Sequence, residues 1–180
     1  MNYNPYVCFQ NFDDIHELYD SFIKELLLFS DVTRKLHHIL TTIQSIKVNF
    51  KKAKIENKDC FLLFIVGFRD AVLEKLADKY HFPRGFPIIW IPQEMLHLYG
   101  FYPKFKNDEI NNHNYNEVDK IVFNHKYSGF LGQFISFKIN ENYYYTTCSK
   151  NGSGTIFSEI FYKIIQCKIN LALLKYVTDN

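Results

Sequence analysis

The sequence predicts an α+β domain with helices near both ends and an antiparallel sheet between them. Over 13–46 and again over 156–176, apolar residues recur at spacings of three and four, which is typical of one face of a helix. Between these regions, short apolar runs of strand character are separated by turn residues, most clearly over 121–147. At 180 residues, the chain is expected to form a single domain, 1–180, with a substantial buried core.

The first part of the chain, about 1–58, is predicted to be mainly helical. After an irregular lead-in, one helix is expected over 13–29, with Asp13 or Asp14 as its N-cap. A serine and an aspartate then interrupt the pattern, and a second amphipathic helix is expected over 32–46.

The middle of the chain mixes basic, apolar and Asn-rich stretches. The lysines within 51–58 are interpreted as a solvated loop, with a contact to a nucleic-acid phosphate backbone as the alternative. The continuous apolar run over 60–67 predicts a buried strand, and the spacing over 70–80 predicts a helix. The prolines and glycine within 82–92 indicate a turn followed by a strand, whereas 106–120 is predicted to be a surface loop.

The last third predicts strands and then one closing helix. Strands are expected over 121–123, 130–139 and 143–147, with a turn over 140–142 between the last two. A single helix is expected over 156–176. The sheet is therefore predicted to be followed by one helix that closes the domain.

Composition and charge exclude several classes of protein. A formal net charge of +2 gives no bulk polycation for nucleic acid, so any such contact must come from a local patch. The four cysteines are far apart and form no C-x-x-C pair, which predicts free thiols in a reducing, cytoplasmic setting and no metal site. The first residues lack the pattern of a signal peptide, and no apolar run is long enough to span a membrane.

A series of basic residues beside glycines is the strongest functional signal. Lys126 is followed three residues later by Gly129, Lys150 stands twenty-four residues after Lys126, and Lys104 stands twenty-two residues before it. Arg84 precedes all three. If the sheet brings these cations together, their charge would bind a triphosphate and lower the pKa of a neighbouring lysine.

Lys126 has the surroundings expected of a lysine nucleophile. An ordinary lysine is protonated at neutral pH and cannot attack, but desolvation or nearby cations lower its pKa. Lys126 follows an apolar run, His125 stands next to it, and Gly129 and Gly132 are expected to leave room for a ligand. The alternative is a lysine at a strand end whose ammonium is solvated.

Four short motifs in this order resemble those of the phage-type ATP-dependent RNA ligases, which belong to the covalent nucleotidyltransferases. The resemblance covers about residues 60–165. The motifs are Pro83-Arg84-Gly85, Pro103-Lys104-Phe105-Lys106-Asn107, Lys126-x-x-Gly129 and Ser149-Lys150-x-Gly152-Ser153.

The resemblance implies a nucleotidyltransferase-like fold and a lysyl-AMP intermediate formed from ATP on Lys126. It further implies that Arg84, Lys104, Gly129 and Lys150 lie at the nucleotide, that Mg²⁺ takes part, and that RNA ends are the partners. Two alternatives to an active ligase remain open. In the first, the chain is a non-catalytic nucleotide- or RNA-binding remnant of such a ligase. In the second, it is a structural or interaction protein whose lysines are solvated.

Three departures from the family pattern bear on activity. Ser128 stands where the family has an acidic residue, and Lys106 replaces an aromatic residue. No E-G-[VI]-V strand or final K-x-K occurs before Asn180, so the expectation is a half-site from a fragment, a truncated gene or a decayed enzyme. Each missing charged group lowers the expected rate of catalysis.

Overall fold

The computed structural model describes residues 4–43, 46–66, 86–100, 129–149 and 152–180. These ranges contain four helices and seven strands, which confirms the predicted α+β class. In chain order the elements are β1 (Gln10–Asn11), α1 (His16–Phe29), α2 (Asp31–Thr42), β2 (Lys47–Ile55), β3 (Lys58–Val66), β4 (Pro87–Ile91), β5 (Met95–Leu98), β6 (Gly132–Ile139), β7 (Asn142–Ser149), α3 (Ile156–Ile165) and α4 (Leu171–Asp179). The helix predicted over 70–80, the loop over 106–120 and the strand over 121–123 lie outside the described residues.

The first five strands form one antiparallel sheet in the order β1-β2-β3-β4-β5. Strands β2 and β3 form its longest hairpin, which pairs Lys47 with Val66 at one end and closes at Glu56 and Asn57. Both turn residues have positive φ, +51° and +66°, as a two-residue hairpin turn requires. The interpretation of 51–58 as a solvated loop was therefore wrong.

Strand β2 was not predicted because lysines stand among its apolar residues. Val48 and Phe50 are buried on one face of the sheet, and Ile55 is buried on the other. Lysines can occupy the positions between them because each long side chain carries its charge out to solvent. The predicted boundary at about residue 58 also falls inside this hairpin.

Helices α1 and α2 cover one face of the five-stranded sheet. Their apolar stripes, which include Phe22 and Leu26, pack on Phe50, Leu63 and Trp90. The Phe22 and Trp90 rings lie 5.3 Å apart in an edge-to-face arrangement. Since Trp90 is 0% exposed, this helical layer seals the centre of the sheet.

Strands β6 and β7 form a separate antiparallel hairpin that covers the other face of the sheet. Ile135 and Phe137 point into the same core as Leu62 and Ile89 of the sheet. The outer face of the hairpin carries α3 and α4, with Leu174 fully buried against it. The described chain thus stacks four layers, helices, sheet, hairpin and helices.

The N-terminal segment joins the two sheets. Val7 N donates to Tyr145 O at 2.8 Å, and Tyr145 N donates to Pro5 O at 2.8 Å. Five residues after Val7, Phe12 N donates to Phe50 O of β2 at 3.3 Å. The segment therefore ties β7 to the edge of the large sheet.

Helix α1 begins later than predicted and has no side-chain cap. Its N-cap position is Ile15, and the structure shows no side-chain hydrogen bond there, so the assignment of Asp13 or Asp14 as the cap was wrong. The helix still forms because its apolar face is buried, and such packing contributes more than a cap does.

Helix α2 is capped by the residue that was expected to interrupt the pattern. Thr33 N donates to Ser30 Oγ at 3.2 Å and Ser30 N donates to Thr33 Oγ1 at 2.9 Å, which is a reciprocal capping box. The helix ends at Thr42, four residues before the predicted end at residue 46.

The closing helix predicted over 156–176 is two helices. Asn170 breaks it, because its side-chain Oδ1 accepts from Leu173 N at 2.9 Å and caps α4. Asparagine competes with the helix for backbone hydrogen bonds in this way and favours caps over helix interiors. A turn at 166–168 separates the two pieces.

A carboxylate on α1 fixes the helical layer to the sheet. Glu25 accepts from Trp90 Nε1 at 2.9 Å and from Gln93 N at 2.9 Å. Gln93 has a φ of +65°, so the same carboxylate holds the left-handed residue of the β4–β5 turn.

Replacing Glu25 with alanine is expected to lower the free energy of unfolding by about 2 kcal/mol, since the fully buried Trp90 N–H loses its acceptor. Urea denaturation measures this change. Lys24→Ala, an exposed substitution on the same helix, is the control and is expected to change stability by less than about 0.5 kcal/mol. Equal effects of the two substitutions would contradict the assigned role.

A second carboxylate joins the turns of the two hairpins. Glu56 accepts from Asn142 Nδ2 at 2.6 Å, from Tyr144 OH at 2.7 Å and from Asn140 Nδ2 at 2.6 Å. The hydrogen bond from Asn142, then that from Tyr144, lowers the pKa of Glu56 below its ordinary value.

This lowered pKa predicts a pH-dependent contribution to stability. The contribution is fully present above the ordinary glutamate pKa of about 4.3 and is lost as the pH falls through the lower pKa of the folded protein. The difference in unfolding free energy between wild type and Glu56→Gln should therefore shrink on acidification, as measured by urea denaturation from pH 7 to pH 3. A difference that is constant with pH would refute the assignment.

Candidate functional site

Four of the five predicted site residues lie outside the described ranges. These are Arg84, Lys104, Lys126 and Lys150. The fifth, Gly129, is exposed, and no described atom lies within 4 Å of where a Cβ would stand on it. The space expected beside Gly129 is therefore present among the described residues.

We call 126–132 and 149–154 the two lysine-glycine clusters; their described residues lie at the same end of the β6–β7 hairpin. Strand β6 begins at Gly132 and pairs there with Ser149, the last residue of β7. Two residues before Gly132, the ring of Phe130 lies 4.7 Å from that of Phe157 in the first turn of α3. The described chain resumes three residues after Lys126 and stops one residue before Lys150, so these described ends meet at one place.

A short turn rich in glycine and serine connects β7 to α3; we call Gly152–Thr155 the glycine turn. Ser149 N donates to Gly152 O at 2.8 Å, and Ser149 Oγ donates to the same oxygen at 3.0 Å. Gly154 has a φ of +67°, a conformation that favours glycine. These features turn the chain sharply from the strand into the helix.

The residue that follows the turn's last glycine caps α3. Ser158 N donates to Thr155 Oγ1 at 3.2 Å, and Thr155 N donates to Ser158 Oγ at 2.9 Å. Thr155 Oγ1 also lies 3.1 Å from Ser149 Oγ, to which it can donate. The capping box therefore fixes the glycine turn to both the strand and the helix.

Lys51 brings a positive charge to the glycine turn from the opposite sheet. Its Nζ lies 3.3 Å from where a Cβ on Gly154 would stand. Lys51 shares its face of β2 with Ala53 and Ile55, both of which pack in the core with the hairpin. Among the described residues, no carboxylate forms an ion pair with Lys51.

Ser153 places a buried hydroxyl in the same turn. The residue is 5% exposed, and its Oγ has no hydrogen-bond partner within the described part of the chain. The backbone N–H groups of Ser153 and Gly154 likewise donate to no described acceptor. An ammonium group, a hydroxyl and backbone donors at one place suit an anion rather than a cation.

The buried thiols nearby are not nucleophiles. Burial raises the pKa of the Cys148 thiol well above its usual range, although the charge of Lys51 acts in the opposite direction. Burial also raises the pKa of Cys60 to about 12. Both thiols are free, as the sequence predicted, and stay protonated at neutral pH.

The described residues do not fit a metal ion. No group of three His, Cys, Asp or Glu side chains is arranged to hold one anywhere in the described ranges. The charge beside the glycine turn is positive on Lys51 and negative on Glu159, which stands in the first turn of α3. The charge and donors at the turn suit an anion more than a cation.

A cleft of about 900 Å³ lies elsewhere, between the N-terminal segment and the β2–β3 hairpin. Two of the four charged side chains in its wall pair with each other, because Lys52 contacts Asp59 at 2.8 Å, and a third, Lys54, is exposed to solvent. Glu56, also in its wall, is engaged in the hydrogen bonds described above. The cleft therefore offers less to a charged ligand than the glycine turn does.

Gly132 does not leave room for a ligand, contrary to expectation. A Cβ there would stand 2.8 Å from Cγ of Phe161, so the ring of α3 occupies that space. The absence of a side chain at Gly132 serves helix packing instead. In contrast, the space beside Gly129 is open among the described residues.

This contrast gives a matched pair of substitutions. Gly132→Ala is expected to lower the free energy of unfolding by about 1 kcal/mol, because the added methyl group must displace the Phe161 ring. Gly129→Ala, at an exposed position, is the control and should change stability by less than about 0.5 kcal/mol. Thermal and urea denaturation measure both, and equal stability of the two variants would contradict the packing role of Gly132.

The sequence indicates a phosphate contact by the lysines of 51–58 only as an alternative, and it does not predict that Lys51 lies beside the glycine turn. The signal was the alternation of Val48, Phe50 and Ile55 with lysines, which marks a strand and assigns residues 51, 53 and 55 to one face.

No helix in the described ranges is both long and apolar enough to cross a membrane. Comparisons with protein-family models, with curated proteins and with solved structures found no match to this chain.

Proposed function

We propose that this chain is a nucleotidyltransferase domain of the RNA ligase type, which binds ATP at the end of the β6–β7 hairpin. One observation supports the proposal above the others. The described residues of the two lysine-glycine clusters, which are Gly129–Gly132, Ser149 and Gly152–Gly154, lie at that end. This proximity of two segments that are separate in the sequence supports, as a proposal, one ligand site at that end.

The proposed reaction transfers an adenylyl group to Lys126. The neutral amine of Lys126 attacks the α-phosphorus of ATP, a phosphorus–nitrogen bond forms, and the bond to the leaving pyrophosphate breaks. The amine gives up one proton, and the product is lysyl-AMP. Positive charge from Arg84, Lys104 and Lys150 would hold the phosphates and favour the neutral form of Lys126. An RNA end is the proposed acceptor of the adenylyl group.

A non-catalytic nucleotide-binding remnant is the second candidate. The serine at position 128 favours it, because a hydroxyl lacks the negative charge of the acidic residue in the ligase motif. In this case the phosphate contacts would persist without transfer to Lys126.

Incubation with α-³²P-labelled ATP and Mg²⁺, followed by a denaturing gel, is the direct test. We expect an acid-labile label on the wild-type chain and complete loss of the label in Lys126→Ala, since the attacking nitrogen is removed. Lys138→Ala is the matched control, because Lys138 is also on the hairpin and is engaged by the exposed Glu141 and by the ring of Tyr143. This control variant should keep the label.

Thermal denaturation with and without ATP separates the two candidates. Stabilisation by ATP without any label supports the remnant, because a ligand that binds only the folded chain raises its stability. Neither label nor stabilisation, in a preparation shown to be folded, would overturn both candidates. A label that survives in Lys126→Ala would overturn the assignment of the nucleophile.

A further inference from the structure

We propose that Lys51 and the glycine turn form a binding site for the polyphosphate group of a nucleotide, an inference that rests on the proposed function and adds a residue to its site. Lys51 belongs to none of the four ligase-like motifs. The structure places its ammonium group beside Gly154, in the turn that follows the Ser149-Lys150-x-Gly152-Ser153 motif. The cation therefore reaches the motif from a different sheet.

The charge of Lys51 is available to a ligand. Two other lysines of the β2–β3 hairpin are paired, Lys52 with Asp59 at 2.8 Å and Lys58 with Glu94 at 2.6 Å, whereas Lys54 is exposed to solvent. Lys51 forms no such pair with a described residue, although its side chain is half-buried. A partly desolvated ammonium group without a counter-ion binds an anion more strongly than a fully solvated one does.

The turn supplies donors of a second kind. The Oγ of Ser153 has no described partner, but it is closed to solvent, so a ligand would reach it only by displacing a neighbouring group. The backbone N–H groups of Ser153 and Gly154 are likewise unused within the described chain. The ten-residue helix α3 begins directly after the turn, and its dipole places partial positive charge there.

This combination favours a phosphate over a carboxylate. A lysine acts as a point charge on phosphate, while successive backbone N–H groups in a turn form a concave surface for its several oxygens. A planar carboxylate would instead be matched by the planar fork of an arginine. Glu159 opposes the site, since its carboxylate stands in the first turn of α3, and this limits the affinity.

Tripolyphosphate is the probe, because it carries the phosphate chain of ATP and contains no adenylyl group to transfer. Isothermal titration calorimetry of the full chain should show binding to wild type that weakens roughly tenfold in Lys51→Met, which removes the ammonium group and keeps the length of the stem. Lys54→Met is the charge-matched control, since Lys54 is exposed on the same strand and points to the opposite face. Its affinity should stay within about twofold of wild type.

Two further variants test the turn itself. Ser153→Ala should weaken tripolyphosphate binding severalfold without lowering the Tm, because the hydroxyl has no partner within the described chain. A merely structural role would lower the Tm and leave the affinity unchanged. Glu159→Gln should strengthen binding, because it removes the opposing charge.

The outcomes also separate this inference from the proposed function. No binding to wild type, or equal losses in Lys51→Met and Lys54→Met, would overturn the inference whatever the labelling experiment gives. Binding that depends on Lys51, in a chain that never becomes labelled by ATP, would support the site and reject the transfer to Lys126. A label that forms as readily in Lys51→Met as in wild type at limiting ATP would count against Lys51.

Discussion

The packing of the β6–β7 hairpin against the five-stranded sheet is the constraint on which the described site depends. Ile135 and Phe137 of the hairpin share one core with Leu62 and Ile89 of the sheet. Because this core fixes the distance and register between the two layers, it also fixes where Lys51 meets the glycine turn. A shift of one residue in β2 would turn Lys51 toward the helices and remove its charge from the site.

Several carboxylates at the edges of the layers are held by hydrogen bonds or ion pairs. Glu25 and Glu56 each accept several hydrogen bonds and hold a turn to a neighbouring layer. Most lysines of the β2–β3 hairpin that lie near a carboxylate are paired with it. Lys51 differs from these groups, because it is half-buried beside donors that have no described partner. The net charge of the chain, which is close to zero, gives no sign of this local positive charge.

The sequence predicted the element types where the hydrophobic period was uninterrupted. Helix α1, strand β3 and the β6–β7 hairpin follow directly from that period. The prediction failed where another interaction outweighed this period. Lysines stand among the apolar residues of β2, and Asn170 caps an additional helix. The space beside Gly132 is filled by Phe161, which is twenty-nine residues away in the sequence. The site could be predicted only in part, because proximity of Lys51 to Gly154 is set by tertiary packing and leaves no trace in sequence spacing.

The N-terminal segment has a consequence for how the chain folds during synthesis. Residues 5–7 pair with Tyr145, so this pairing cannot form until β7 has been synthesised. Helices α1 and α2 and the β2–β3 hairpin involve short separations and can form first. The segment that joins the two layers is therefore made before both of them, and it docks only after β7 is available.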